Sequence, residues 1–533
     1  MNQKRLWQIA LWALIILISL PLLRILSAWL EPSSDIWQHL SDTLLWNMVS
    51  NTLWLLLGVG IGVTLLGVTL AWFVTMCEFP GRKLLEWMLF LPFAIPAYVL
   101  GFVFLGLFDY AGSVQSLLRE YTSWTGIDIR DGRLSITLVM TLVLYPYVYM
   151  LARNAFYSQN NSLIESSRLL GLSPFSVFRR ISIPLARPAI AAGVMLALME
   201  TLADFGTVAI FNYSTLTSGI FSVWEDFRSL QAAAQLSTIL LGIAVVLIFI
   251  ERWSRGRARY DSNKRMTMRP YKLTGVKAWL TTGFVATIVF FAFILPVSQL
   301  LIWAWQIAAQ EWDPRYFDWI TNSFVLALGA AILTVGLAVI VNSVRMQTRL
   351  SWPLKAGLRF ANLGYALPGS VLAVGIMLLI IDIGELVAPG GGIWLSSGVF
   401  ALLLAYMVRF LAVAYGPVES SFDTITPSMT EAARSLGAST PRLVSHIYFP
   451  ILKPGLVIAG FMVAVDVMKE LPATYLLRPY GWDTLAIRVY ELSSEGLYER
   501  AAIPSLMLLM LGLTGLYMVH RINKRYKIRA KTS

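Results

Sequence analysis

EAARSLGASTPRLVSHIYFP, residues 431–450, is the stretch on which the reading of this chain turns. It is polar and helix-forming, and it sits between long apolar runs. Thr426 followed by Pro427 supplies an N-cap and a first-turn proline, and Gly437 is the residue type that closes a helix in the left-handed conformation at least cost. Thr440 with Pro441 then restarts a second helix that ends near Pro450. Residues 165–184, ESSRLLGLSPFSVFRRISIP, repeat the pattern, with Asn160 at the first cap and Ser173–Pro174 at the restart. At a shift of 266, Glu165 falls on Glu431, Arg168 on Arg434, Gly171 on Gly437 and Pro184 on Pro450. In each copy the Glu and Arg lie three apart, on one helix face, where they can pair for a few tenths of a kcal/mol.

The repetition extends well beyond this element. Asn51-Thr52 recurs as Asn322-Ser323, and AIPAYVL at 94–100 meets ALPGSVL at 366–372. The chain therefore reads as a tandem duplication, 1–265 and 266–533, with the polar elements at 160–184 and 426–450. Two copies that keep the same polar positions while the flanking apolar residues drift point to a surface that docks a partner.

Composition sets the environment. Of 533 residues, 57% are hydrophobic and 14% charged, with mean hydropathy +0.67; a soluble chain carries roughly a quarter charged residues. Runs long enough to cross a ~30 Å hydrocarbon layer occur near 6–30, 52–76, 84–108, 135–152, 186–209, 233–251, 277–305, 322–343, 357–381, 396–415, 454–476 and 502–519. The expected fold is all-α and polytopic, about twelve spanning helices in two parallel six-helix halves related by an axis along the membrane normal. The first run outlasts a signal-peptide core and has no A-x-A site after it, so it counts as a span.

The net charge of +12 lies in loops. Lys and Arg gather at the N-terminus, at 82–83, along 153–187, in 252–272, at 345–359 and in the C-terminal tail, whereas the alternate loops are acidic. This is the positive-inside pattern, which places both termini in the cytoplasm and leaves no role for nucleic acid. The lone cysteine, Cys77, excludes an internal disulfide.

The pattern E-A-A-x-x-x-G followed by x9-[IV]-x-[FL]-P resembles the signature loop of the integral-membrane subunits of binding-protein-dependent ABC importers, which implies the fold of type I permeases. In that family the loop docks into a groove of a cytoplasmic ATPase. The resemblance assigns ATPase coupling to Glu431, Ala432, Ala433, Arg434 and Gly437, and to Glu165, Arg168 and Gly171 in the first copy, which departs by having Ser166 and Ser167 for the alanines. It implies two ATPase subunits and a periplasmic substrate-binding protein as partners, in a bacterial inner membrane. No G-x-x-x-x-G-K-[ST] occurs, so ATP and Mg²⁺ belong to the partner chain and no cofactor is expected on this one.

After each element an apolar helix carries acids. At the same shift Glu200 meets Asp466 and Asp204 meets Glu470, each pair being i,i+4 on one expected helix. Intramembrane acids cost on the order of 2.5–3.5 kcal/mol and face a cavity or a partner. A cation route is one reading, with transient rather than stable metal contact. Structural pairing, with Lys469 neutralising Asp466 or Glu470, is the other. Carboxylates and tyrosines (Tyr98, Tyr145, Tyr147, Tyr149, Tyr475) suit a hard cation such as ferric ion, and an organic cation such as thiamine fits as well. ETLADFGTV at 200–208, STLTSGIFSVW at 214–224 and KELPATYLLRPYGWDTLA at 469–486 resemble ferric-iron permeases. Arg478, Asp483 and Arg488 are candidate contacts for the binding protein, or solvated loop residues. An ion-coupled secondary transporter shares the two-half plan, but the docking-shaped element tells against it. No catalytic constellation supports an enzyme.

Overall fold

The structure is a computed structural model that describes residues 3–31, 35–122, 126, 129, 132–159, 161–255, 270–308, 314–347, 351–361, 364, 367–387 and 398–532. The Asn160 cap and the boundary near 265 lie outside the described residues. The fold is helical because a chain in hydrocarbon must satisfy its backbone polar groups within each segment. The first half contains α1 (Gln3–Ser27), α2 (Leu45–Met76), α3 (Ala97–Phe108), α4 (Arg133–Tyr157), α5 (Asn161–Leu169), α6 (Ile183–Ala203), α7 (Gly206–Ile210), α8 (Leu216–Glu225) and α9 (Leu230–Arg255). The second contains α10 (Val276–Val289), α11 (Leu295–Ile307), α12 (Tyr316–Gln347), α13 (Gly369–Val387), α14 (Val399–Phe422), α15 (Pro427–Ser435), α16 (Phe449–Lys469), α17 (Pro472–Leu477), α18 (Leu485–Ser494) and α19 (Tyr498–Thr532).

Among the described residues, eleven helical stretches are long and apolar enough to cross a membrane, and α1 adds a shorter apolar stretch, Leu11–Ser27. Four expected spans need correction, the run 357–381 among them: it is split between a helix at Trp352–Ala361 and α13, which begins at Gly369. The run 84–108 is not one helix: a helix at Arg82–Met88 and a 3-10 turn at Leu91–Ala94 precede α3. Pro92 and Pro96 break it rather than bend it, because neither ring leaves an N–H for the helical ladder. Tyr145 and Tyr149 of α4 hold the broken segment by donating to the carbonyls of Leu89 and Glu86, both at 3.1 Å. The runs 186–209 and 454–476 likewise stop early, at Ala203 and Lys469.

The first span of each half leans on the other half. α1 packs on α13, where Arg24 Nε donates to Asp382 at 2.5 Å. In return α10 and α11 pack on the first half, with Phe284 against Phe73 and Trp303 stacked on Phe102 at 6.3 Å. On the side of α5, β1 (Cys77–Glu78) pairs in parallel with β2 (Tyr271–Lys272). Burial pushes the Cys77 thiol up to about 11, which keeps it protonated and inert.

The repeated Asn-Thr/Ser now has a physical task. Asn51 donates to Ser214 O at 2.9 Å, and Thr52 Oγ1 accepts the Leu216 N–H at 3.0 Å. In the second half Asn322 donates to Gly481 O and Asp483 O, and Ser323 Oγ accepts the Leu485 N–H at 2.9 Å. Each pair pins the loop that leads into α8 or α18, fixing the short helices beyond the acids.

Candidate functional site

The polar repeats fold as helix, glycine turn, helix. Gly171 and Gly437 have φ of +78° and +79°, so both turns use the left-handed region that a side chain resists. Thr426 occupies the N-cap of α15, but its hydroxyl meets Ser428 rather than the backbone. The restart helix begins at Thr440, so Ser439, not Thr440, holds the cap position. In the first copy the equivalent Ser173 accepts the Ser176 N–H at 3.2 Å. Neither restart helix stops at Pro184 or Pro450: each passes through a π-helical turn into α6 or α16.

Ala433 and its counterpart Ser167 are buried, while Glu165, Glu431, Ala432, Arg434 and both glycines are exposed. Arg168 lies with its guanidinium 3.8 Å from the centre of the Tyr271 ring. Leu170 and Leu436, one residue before each glycine, are 82% and 88% exposed. The shift of 266 aligns these two leucines, but a leucine in an apolar chain carries no docking signal by type, so the sequence assigns them no role.

The four acids gather at the interface between the halves, around a cavity of about 140 Å³ also lined by Tyr98, Tyr147, Arg409 and Lys469. They do not form two helical i,i+4 pairs. α6 ends at Ala203 and α16 at Lys469, leaving Asp204 (φ −70°, ψ 126°) and Glu470 (φ −69°, ψ 123°) in matching extended breaks. Each then caps the next short helix. Asp204 accepts the Thr207 N–H at 2.9 Å, its hydroxyl at 3.0 Å and the Val208 N–H at 3.3 Å. Glu470 accepts the N–H groups of Ala473 and Thr474, both at 2.9 Å, and the Thr474 hydroxyl at 2.6 Å. Glu200 and Asp466 stay within their helices and line the cavity one turn below.

Glu470 also accepts from Arg409 Nη1 at 3.0 Å, with the two side chains 1% and 9% exposed. Lys469, expected to neutralise Asp466 or Glu470, leaves Glu470 to Arg409: it keeps its electrostatic interaction with Asp466 and donates to Phe93 O at 3.0 Å, across the interface. Gly369 makes room for the pair, since a Cβ there would collide with Arg409 and Glu470. Arg409 was missed, although a single arginine inside the apolar run 399–418 is a signal that a sequence can give. Of the other tyrosines, Tyr475 reaches Glu225 at 3.2 Å, and Tyr145 and Tyr149 serve the broken helix. Arg478 pairs with Asp483 and Glu491, both at 2.9 Å, and Arg488 with Glu491 at 3.6 Å, so this trio is occupied within the chain.

Residues 63–260 and 335–528 each match the family model described as binding-protein-dependent transport system inner membrane component. The chain belongs to this family. The permease is 29% identical over 472 residues to an Fe(3+)-transport system permease protein of Haemophilus influenzae, covering 87% of each chain. It is 22% identical to a probable ABC transporter permease protein of Sinorhizobium fredii, over 85% of this chain and 83% of that one. A molybdenum transport system permease protein of Escherichia coli is 28% identical over 36% of the permease and 87% of its own length. The permease thus carries twice a unit that other members carry once.

Proposed function

We propose that this permease moves ferric iron, delivered by a periplasmic binding protein, across the bacterial inner membrane into the cytoplasm, driven by two copies of a separate ATPase seated on α5 and α15. The observation that carries the reading is the cavity between the halves. Four carboxylates face two basic side chains there, and among the described residues its lining has no cysteine or histidine. The excess of acid disfavours an anion. Oxygen donors suit a hard cation, and the buried Tyr98 hydroxyl has no hydrogen-bond partner among the described residues. The relative from Haemophilus influenzae, similar along nearly the whole chain, supports the same cargo.

The continuous helices support the coupling. Residues Pro174–Ala203 and Val444–Lys469 run unbroken from the polar elements to the acids. At 1.5 Å per residue, Pro174 and Glu200 lie about 39 Å apart along one continuous helical rod. ATP binding that draws the two ATPases together moves both rods and opens the cavity outward to receive the cation. Hydrolysis and release let the halves rock back and open it inward. The distribution of Lys and Arg supports cytoplasmic termini.

The test is uptake of radioactive iron and of radioactive thiamine by cells with and without this chain, with purification in mild detergent. The reading expects iron uptake that depends on the chain and a co-purifying ATPase. Chain-dependent thiamine uptake alone would replace the cargo, and transport without an ATPase would replace the mechanism.

A further inference from the structure

A second cavity, of about 450 Å³, adjoins the first, and its lining includes Met150, Leu196, Val413, Phe461 and Val465. The chain directions fix its position. Leu196 precedes Glu200 on α6, and Phe461 precedes Asp466 on α16, so these residues lie toward the polar elements. Met150 follows Tyr147 on α4, and Val413 follows Arg409 on α14, both on helices that run toward α5 and α15. The upper cavity is acidic and the lower one almost wholly apolar.

Phe93, Tyr147, Asp466 and Lys469 line both cavities and form the wall between them. The first half contributes an aromatic pair, with ring centroids 5.1 Å apart at 68°. The second half contributes the ion-bearing turn at the end of α16. Lys469 Nζ joins the two contributions by its 3.0 Å bond to Phe93 O, in the broken third span, and lies 5.5 Å from the Phe93 ring. Asp466, three residues before it on its own helix, and Glu200 on the opposite half line the same cavity and act on its charge.

We infer that Lys469 is a tethered counter-cation that closes the gate between the two cavities, holding Glu200 and Asp466 until a cargo cation displaces it. The inference rests on the cation cargo proposed above. A multivalent cation in the upper cavity competes with one ammonium for the same carboxylates. As it takes them, the ammonium loses its attraction to this position, the Phe93 carbonyl is released, and the aromatic pair is free to part. The first half has Ala203 where the second has Lys469, so the gate has one bolt and not two. An anion entering the cavity gains nothing by displacing Lys469, which makes the residue a determinant of specificity as well as closure.

The experiment uses the full permease in detergent and Tb³⁺ as a trivalent probe, read by tyrosine-sensitised luminescence. Lys469→Gln keeps an N–H donor for Phe93 O but removes the charge, and Lys469→Met removes both. Each should tighten Tb³⁺ binding roughly tenfold, a coupling of ordinary size, while Lys469→Arg stays at the wild-type level. Adding Glu200→Gln to Lys469→Gln should cancel the gain. Wild-type affinity in the Gln variant overturns the proposal, as does a gain that survives Glu200→Gln; should the Met variant not fold, the Gln variant decides. Iron uptake separates this from the cargo reading. A tenfold gain in a permease that imports no iron leaves the gate standing and removes the cargo, and iron uptake without the gain does the reverse.

Discussion

The two halves of this permease share a backbone plan and differ in charge. Both end the helix after the polar element at the same residue, with dihedral angles matched within a few degrees at Asp204 and Glu470. Both pin the following loop through a Thr or Ser hydroxyl, and both turn the polar element on a left-handed glycine. At the cavity wall, however, Val143 and Ala203 of the first half face Arg409 and Lys469 of the second. The two copies share the positions of the acids, and only the second carries their counter-charges. A symmetric carboxylate ring would repel itself. Placing both cations in one half compensates the acids while leaving the cavity with a net negative bias.

The largest expected effect follows from removing Arg409. In Arg409→Met, Glu470 loses its ion partner in a buried site, a change worth about 3–5 kcal/mol. Thermal unfolding in detergent should show a large drop, whereas Val143→Met at the matching position should shift little. Equal losses at the two positions would erase the distinction between the halves.

Glu470→Gln and Asp204→Asn sharpen the comparison next. Each weakens a helix cap, worth about 1 kcal/mol, but only the first also strands Arg409. The Glu470 variant should be the less stable by a clear margin in the same melt, and parity would show that the cap, not the ion pair, dominates.

Gly171→Val and Gly437→Val probe what the halves share. A β-branched residue at a φ near +78° costs about 1–2 kcal/mol in a turn with open space around it. Membrane insertion should persist while uptake coupled to ATP hydrolysis falls in both variants; full coupling in both would refute docking at these elements. Thr52→Val and Ser323→Ala should cost least, about 1 kcal/mol each, and by similar amounts. A large difference between them would mean that the loops leading into α8 and α18 are not held alike.

Much of this was legible in the sequence, for reasons that are local. Hydropathy marks a span because hydrocarbon imposes one requirement on every residue of a helix. The duplication was visible at Glu165/Glu431 and Gly171/Gly437 because turn chemistry demands particular residue types. Four acids in register announced an intramembrane polar site. The break at Asp204 was not legible, since ETLADF continues an apolar helix as well as it ends one, and at Glu470 the one local signal is Pro472, two residues on. Each break is decided by the bonds that its carboxylate makes to N–H groups three and four residues ahead.

By itself, then, the sequence determined the membrane class, the two-fold repetition, the polar elements and the presence of the acids, all properties of residue type and short-range spacing. Only the tertiary structure decided that Arg409 and not Lys469 pairs with Glu470, that Lys469 reaches Phe93 O from 376 residues away, and that α1 and α10–α11 lean across to the opposite halves. Such pairings depend on which surfaces meet when helices pack, and helices alike in hydropathy carry no label for their neighbours.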